Sequence, residues 1–147
     1  MVERSNDQTA DRLFAVNIAN KRIQVPQEFR EAFNAAMMAG PHELARRFRV
    51  ICALGVTGHG KSTTCNTICG RTATPVFKVS ALTESETDKL FGFMSRWRNL
   101  LSQNPYIIFD SPGIGDSRNI DTRNITEMVI GLKEIGYVHT FLIVLNS

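Results

Sequence analysis

The chain has 147 residues, of which 43% are hydrophobic and 21% charged, a composition typical of one folded domain with a real core. Its 17 Lys and Arg residues against 14 Asp and Glu give a net charge of +3, too slight and too scattered to indicate nucleic-acid binding. No apolar run approaches the roughly 20 residues of a membrane-spanning helix. The first residues are charged and polar where a signal peptide would be apolar, so we expect a cytoplasmic protein.

The first part of the chain divides into a polar tail and a helical preface. Residues 1–24 are polar, and their short apolar alternation predicts at most a brief strand. From Pro26 the pattern is helical up to Gly40, and a second short helix is expected over about 42–48. The apolar residues that recur every four positions are Val25, Phe29, Phe33 and Met37. We expect this stripe to pack on its own domain; a partner-binding or membrane-surface helix is the alternative.

A complete phosphate-loop pattern follows. Residues 55–62 read GVTGHGKS and match G-x-x-x-x-G-K-[ST] at every specified position. The apolar run before them predicts a buried strand, and the residues after them predict a helix that ends at Gly70. Because strand, Gly-rich loop and helix follow one another, we interpret the pattern as a phosphate-binding site and not as an accidental match in a structural turn.

The residue types explain how such a loop binds phosphate. Glycines leave backbone N–H groups bare to wrap the phosphates, and the helix N-terminus favours negative charge. Lys61 would reach the outer phosphates, and the Ser62 hydroxyl would ligate Mg²⁺. The predicted nucleotide-binding residues are Gly55, Thr57, Gly58, His59, Gly60, Lys61, Ser62 and Thr63. For His59, a structural or solvent-facing role is the alternative.

The segment after this helix is a candidate switch loop. Residues 71–88 lack apolar periodicity and are rich in Thr and Ser, which indicates an exposed loop. A switch loop needs a Thr whose hydroxyl meets Mg²⁺ and whose N–H meets the γ-phosphate. Thr83 and Thr87 are the two candidates by position.

A second apolar strand, residues 106–110, ends in a carboxylate and a turn. Residues 110–113 read DSPG, the D-x-x-G arrangement. In a phosphate-loop domain this strand lies beside the first one, so Asp110 would be near the metal and the Gly113 N–H would meet the γ-phosphate. In Ras-like GTPases the next residue is a Gln that orients the attacking water. Here it is Ile114, which cannot hydrogen-bond to water through its side chain, so we expect slow intrinsic hydrolysis.

These motifs together resemble one known family. The runs GVTGHGKSTTCNTICGR, FKVSALTESET and IIFDSPGIGDS are similar to the immunity-associated nucleotide-binding (AIG or GIMAP type) GTPases, relatives of the septins and the chloroplast outer-envelope translocon GTPases. The resemblance covers about residues 49–147 and none of residues 1–48. The positions that match the family's phosphate-loop motif are Gly55, Thr57, Gly58, Gly60, Lys61, Ser62, Asn66, Ile68 and Gly70.

The resemblance carries expectations of fold, ligand and site. It implies an α/β fold, the P-loop NTPase (Ras-like G domain) type with a mixed, mostly parallel sheet, that binds GTP or GDP with Mg²⁺. The family's switch Thr, counted from Phe77, falls on Thr87, which we therefore prefer to Thr83. The predicted catalytic residues are thus Thr87 and Gly113, and the metal ligands are Ser62, Thr87 and Asp110. Ser111 replaces the Thr of the family's D-T-P-G motif, a mild departure.

The largest departure is at the C-terminus. After a helical stretch over 124–136 comes an apolar strand over 139–147, and the family's guanine-reading T-K-x-D motif is absent. Guanine specificity is thus implied by the resemblance only. We expect the chain to be the N-terminal portion of a G domain from a longer protein, with a naturally short, degenerate form as the alternative. An apolar last strand with an unpaired edge would favour aggregation or dimerisation.

The sequence leaves three functions open. The first is a Mg²⁺-dependent GTP switch or assembly GTPase, which the resemblance implies would form a homodimer or oligomer through the nucleotide face. Regions absent from the chain could add membrane association, and the chain of 147 residues could be inactive by itself. The second is a nucleotide-binding scaffold without hydrolysis. The third is a P-loop ATPase or small-molecule kinase, against which the DSPG motif and the upstream Thr-rich loop argue.

Two further features have structural explanations. Cys65 and Cys69 lie four residues apart on one helix face, as metal ligands can, but no third ligand accompanies them and we expect both to pack in the core. With Cys52 they should be free thiols. Trp97 is expected to pack at a hairpin between two strands and not to stack on a base.

Overall fold

The computed structural model describes residues 22–40, 42–56, 60–77, 90–114 and 119–145. The strands are β1 (Ile23–Gln24), β2 (Arg49–Gly55), β3 (Phe91–Arg96), β4 (Pro105–Asp110) and β5 (Thr140–Val144). The helices are α1 (Arg30–Ala39), α2 (Glu43–Arg47), α3 (Lys61–Ile68) and α4 (Asn119–Ile135). Short 3₁₀ turns at Gln27–Phe29 and Trp97–Asn99 precede α1 and follow β3.

The five strands form a single mixed sheet in the order β1-β3-β4-β2-β5. β2 pairs in parallel with both β4 and β5, β1 pairs in parallel with β3, and the β3–β4 pair is antiparallel. The expectation of an α/β fold with a mixed, mostly parallel sheet is confirmed. So is the prediction that the strand ending in Asp110 lies beside the strand that leads into the Gly-rich loop.

The sheet buries apolar side chains on both faces, because successive residues of a strand point to opposite sides. In β4, Ile107 and Phe109 belong to one cluster with residues of α1, α2 and α4, whereas Tyr106 and Ile108 belong to a second cluster with residues of α3. This two-sided burial explains why the second apolar strand reads as a continuous run without alternation.

The helical preface packs as predicted. A 3₁₀ turn begins directly after Pro26 and continues into α1, which ends at Ala39 just before Gly40, and α2 begins at Glu43. Val25, Phe29 and Phe33 are buried in the cluster shared with the sheet. The apolar stripe therefore serves the domain's own core.

The sheet begins inside the segment interpreted as a polar tail. Ile23 and Gln24 form β1, whose partners on β3 are Gly92 and Phe93, so the tail ends at least two residues earlier than predicted. Arg22 holds this start in place through ion pairs to Glu127, at 2.7 Å, and to Glu134. These partners lie more than 100 residues away in sequence, beyond the reach of local patterns. The alternation predicted as a brief strand lies in residues 1–21, outside the described residues.

β5 is an edge strand of the described sheet with an apolar, exposed side. Phe141, Ile143 and Leu145 are each at least half exposed. The structure thus contains the exposed apolar edge strand expected from the sequence; aggregation or dimerisation through that edge stays a prediction. Trp97 lies between the antiparallel strands β3 and β4, at the hairpin position predicted for it, and is about half exposed. Within the described part of the chain, no helix has the length and apolar content needed to cross a membrane.

Candidate nucleotide-binding site

Three predicted site residues meet at one end of the sheet. β2 and β4 are parallel neighbours, so their carboxyl ends lie at the same edge. Asp110 is the last residue of β4, and α3 begins at Lys61 shortly after β2 ends. Crevices at the carboxyl ends of parallel strands are where open α/β sheets bind ligands.

Asp110 joins the two side chains that begin α3. Lys61 Nζ donates to Asp110 Oδ1 at 2.9 Å, and Ser62 Oγ donates to Asp110 Oδ2 at 2.5 Å. Each carboxylate oxygen thus accepts from a different residue of the phosphate-loop motif. The predicted phosphate-binding lysine and the two described metal-ligand candidates form one connected cluster.

Lys61 is buried although it carries a charge. Its side chain is 7% exposed and Asp110 is 1% exposed, so each charge depends on the other for compensation. The ammonium also donates to the Ser111 carbonyl at 2.6 Å. An ammonium has three hydrogens, and these two bonds are its only partners within the described residues. One N–H of Lys61 can therefore donate to a ligand.

The backbone at Gly60 and Gly55 suits glycine for two different reasons. Gly60 precedes α3 with φ of 83°, a left-handed conformation that favours glycine. Gly55 has an ordinary φ, but a Cβ there would lie 2.8 Å from the carbonyl oxygen of Val144 on β5. Gly55 is therefore required by close strand packing, whether or not it also contacts phosphate.

The first turn of α3 supplies backbone donors beside the cluster. The N–H of Thr64 is the first to bond within the helix, to the Gly60 carbonyl at 2.9 Å. The N–H groups of Lys61, Ser62 and Thr63 have no carbonyl one turn earlier in the helix, as at any helix start. They can bind an anion, and the helix dipole favours negative charge at this end.

The turn after Asp110 is held by contacts that sequence reasoning missed. Ser111, fully buried, donates through Oγ to the Ala53 carbonyl at 2.6 Å. Asn124 of α4, also buried, donates to the Gly113 carbonyl at 2.7 Å. The first of these bonds needs only a side-chain hydroxyl, which Ser111 supplies. The DSPG turn is thus anchored to β2 and to α4.

Ile114 is tied back to the strand that precedes the Gly-rich loop. Its N–H donates to the Gly55 carbonyl at 3.2 Å, and Val56 and Ile114 form a short parallel bridge. Gly113 itself is buried between Asp110 and this bridge. The structure thus places Gly113 in the turn that follows Asp110.

Asn66 connects α3 to the start of the Thr-rich segment. Its Oδ1 accepts from the N–H groups of Val76 and Phe77 at 3.0 and 2.9 Å, and its Nδ2 donates to the Phe77 carbonyl at 2.9 Å. The Asn66 side chain is buried. Asn66 matched the motif without an assigned role, and in the structure it holds Val76 and Phe77, in the first half of the candidate switch loop 71–88.

Two buried thiols lie near the charged pair. Burial, and next the charge of Asp110, raise the pKa of Cys52 to about 12, and the same two causes raise the pKa of Cys65. For Cys69, burial raises the pKa to about 11. All three cysteines are free and buried, as predicted, and their thiols stay protonated and unreactive at neutral pH.

The donor atoms at this site fit Mg²⁺. Ser62 Oγ and Asp110 Oδ2 are hard oxygen donors side by side, and Mg²⁺ is usually held by one or two carboxylates together with phosphate oxygens and water. The described residues contain no cluster of three or more His, Cys, Asp or Glu side chains that could hold a metal without such help. The residues fit a metal that arrives with a phosphate ligand.

Several predicted site residues lie outside the described residues. They are Thr57, Gly58 and His59 of the Gly-rich loop and both switch candidates, Thr83 and Thr87. Of the predicted site, the structure brings together Gly60, Lys61, Ser62, Thr63 and Asp110, with Gly55 and Gly113 flanking them.

No model of a protein family matches the chain, and no curated protein matches it.

Proposed function

We propose that this chain is the nucleotide-binding part of a P-loop GTPase that takes GTP or GDP with Mg²⁺. The observation that carries the proposal is the cluster in which Asp110 bridges Lys61 and Ser62 at the carboxyl ends of two parallel strands. It unites the lysine, hydroxyl and carboxylate of two motifs that are 48 or more residues apart in sequence. The resemblance to AIG-type GTPases remains the reason for preferring guanine.

The residues of the cluster have distinct roles in this proposal. Lys61 would weaken its bond to Asp110 and donate to the outer phosphates instead, and the N–H groups at the start of α3 would bind the same phosphates. Ser62 and Asp110 would hold Mg²⁺, directly or through water. When bound, Mg²⁺ neutralises charge that develops on the phosphates during transfer. Gly113 and Thr87 would sense the γ-phosphate from the turn after β4 and from the switch loop.

Hydrolysis by a single chain should be slow. The side chain of Ile114 cannot orient water, and its backbone N–H is already engaged by Gly55. Arg71, the first residue of the candidate switch loop, has its guanidinium carbon 5.5 Å from the centroid of the Phe93 ring and packs over that ring. Useful turnover would then need a group from a second subunit at the nucleotide face, or from another partner. A scaffold that binds nucleotide without hydrolysis is the second candidate on the same observations.

Titration of the purified chain with labelled GTP and ATP, with and without Mg²⁺, tests the proposal. We expect GTP to bind more tightly than ATP and Mg²⁺ to strengthen binding. Equal binding of both nucleotides would favour an ATPase or kinase, and no binding of either would overturn the nucleotide site. A Lys61→Ala variant serves as the negative control.

A further inference from the structure

A second cationic site lies at the other end of the sheet. A cavity of about 480 Å³ is lined by the end of α2, the first residue of β2, the approach to β4 and the residue before β5. Its polar lining side chains are Arg46, Arg47, Arg49, Asn104 and His139, and among the described residues no Asp or Glu lines it. β2 is seven residues long, so at about 3.3 Å per residue this cavity lies about 20 Å from the Lys61 cluster.

The arginines carry more positive charge than their neighbours compensate. Glu43 pairs with both Arg46 and Arg47, each at 3.1 Å, so a single carboxylate serves two guanidiniums. Arg49 has no ion pair within the described residues. Three guanidiniums against one carboxylate leave two positive charges in excess. Arg46 and Arg47 lie in the last turn of α2, where positive charge interacts favourably with the helix dipole, and this explains their presence in part. Arg49 lies outside the helix and does not take part in this interaction.

His139 adds a hydrogen-bond donor in a defined orientation. The ring Nδ1 accepts from the Val50 backbone N–H at 2.9 Å, and the backbone N–H of His139 donates to the Val50 carbonyl at 2.9 Å. An Nδ1 that accepts leaves Nε2 to carry the ring hydrogen. The ring also packs edge-on against Tyr137, with centroids 4.9 Å apart. The imidazole is thus held in place before any ligand arrives.

We propose that this cavity binds a small molecule that carries two or more phosphate groups. Guanidiniums present planar pairs of donors that match phosphate oxygens, which distinguishes Arg from Lys in such sites. The cavity volume falls within the range of small-molecule sites. It is larger than a single phosphate group would need. The same chemistry describes a free polyphosphate compound and a phosphorylated lipid headgroup. This site is separate from the proposed nucleotide site and does not depend on it.

Calorimetric titration with tripolyphosphate, without Mg²⁺, tests the proposal on the whole chain. The double variant Arg46→Gln with Arg49→Gln should bind at least about tenfold more weakly, since it loses two charged donors. The matched control is Arg30→Gln with Arg123→Gln, which removes equal charge from exposed positions on α1 and α4. This control should bind like the wild-type chain. An equal loss in both double variants, or no loss in either, would overturn the proposal.

Two further experiments distinguish binding at the cavity from binding at the Gly-rich loop, and a free ligand from a lipid headgroup. In a Lys61→Ala background, binding that depends on Arg46 and Arg49 should persist, whereas complete loss would assign all binding to the phosphate loop. If the Lys61→Ala variant does not fold, the comparison of the two double arginine variants still tests the proposal, because both of them keep the Gly-rich loop unchanged. Sedimentation with phosphatidylcholine vesicles that contain phosphatidylinositol bisphosphate, against phosphatidylserine vesicles, distinguishes the sources. Arginine-dependent binding to the former indicates a headgroup, and tripolyphosphate binding alone indicates a free ligand.

Discussion

Lys61 Nζ and Asp110 Oδ1 lie 2.9 Å apart with both side chains buried, so one ion pair supports the fold and also holds the proposed phosphate-binding lysine. A buried charge that loses its partner keeps its desolvation penalty. Changes at this pair should therefore affect stability and nucleotide binding together, and suitable variants can separate the two.

We expect Lys61→Ala to weaken nucleotide binding well over tenfold and to lower the free energy of unfolding by about 3–5 kcal/mol. Binding falls because the phosphate contact is lost, and stability falls because Asp110 remains buried. Urea unfolding and nucleotide titration measure the two effects. The double variant Lys61→Met with Asp110→Asn removes both charges and should regain stability without regaining affinity. Unchanged nucleotide affinity in Lys61→Ala would rule out the site assignment.

Asn66→Ala should lower the free energy of unfolding by about 2–4 kcal/mol. The variant removes three hydrogen bonds and leaves the buried N–H and carbonyl groups of Phe77 without this partner. Thr67→Ala is the control, because Thr67 is exposed and its hydroxyl donates to the Thr63 carbonyl one turn earlier in the same helix. Equal effects of the two substitutions in urea unfolding would show that Asn66 does not anchor the segment.

The buried thiols predict loss of stability in alkali. Burial raises the pKa of Cys52 to about 12 and of Cys69 to about 11, from an ordinary value of 9.0. Above about pH 9 the unfolded chain loses thiol protons that the folded chain keeps, so the free energy of unfolding falls as pH rises. The contribution of the two protonated thiols to the free energy of unfolding is complete below about pH 9. It disappears as pH rises through about 11 to 12, the pKa values of Cys69 and Cys52 in the folded chain.

Urea unfolding at neutral pH and between about pH 9 and about pH 11 measures this slope. The variant Cys52→Ala with Cys69→Ala should show a shallower decline over the same interval. A decline that is equally steep in the variant would assign the alkaline effect to other groups.

The candidate switch loop should respond to the γ-phosphate. If Thr87 meets that phosphate, amides across 71–90 should exchange faster with GDP than with a GTP analogue and Mg²⁺. Hydrogen exchange followed by mass spectrometry in the two states makes the comparison. Thr87→Ala should abolish the difference and Thr83→Ala should retain it. The reverse outcome would indicate that Thr83 contacts the γ-phosphate. Equal protection in both states would contradict the assignment of this segment as a switch loop.

Single-turnover hydrolysis should be slow in dilute protein and should rise with protein concentration. Ile114 cannot position water, so catalysis needs a group from another subunit or partner. The rate is measured at saturating GTP over a series of chain concentrations, with Lys61→Ala to subtract background. A fast rate that does not depend on concentration would place the catalytic group within one chain.

The phosphate-loop motif could be recognised from the sequence because it is a local pattern. A glycine before a helix, and a lysine and a serine at its start, follow from backbone geometry and from the chemistry of phosphate within eight residues. The helical preface was likewise predictable, since apolar spacing of four residues reports one helix face. The direct bond between Ser62 and Asp110 was not, because it depends on how β2 and β4 pair.

Side-chain partners distant in sequence were decided by the tertiary structure. Arg22 forms ion pairs with Glu127 and Glu134 on α4, and His139 forms hydrogen bonds with the backbone of Val50. The partners are 89 residues or more apart in sequence. Strand order and register bring such residues together, and neither is encoded by a local period. The sequence by itself therefore determined which residues are the candidates for binding phosphate and metal. Only the packed sheet decided that Asp110 bridges Lys61 and Ser62, and that the arginines around β2 form a second cationic cavity.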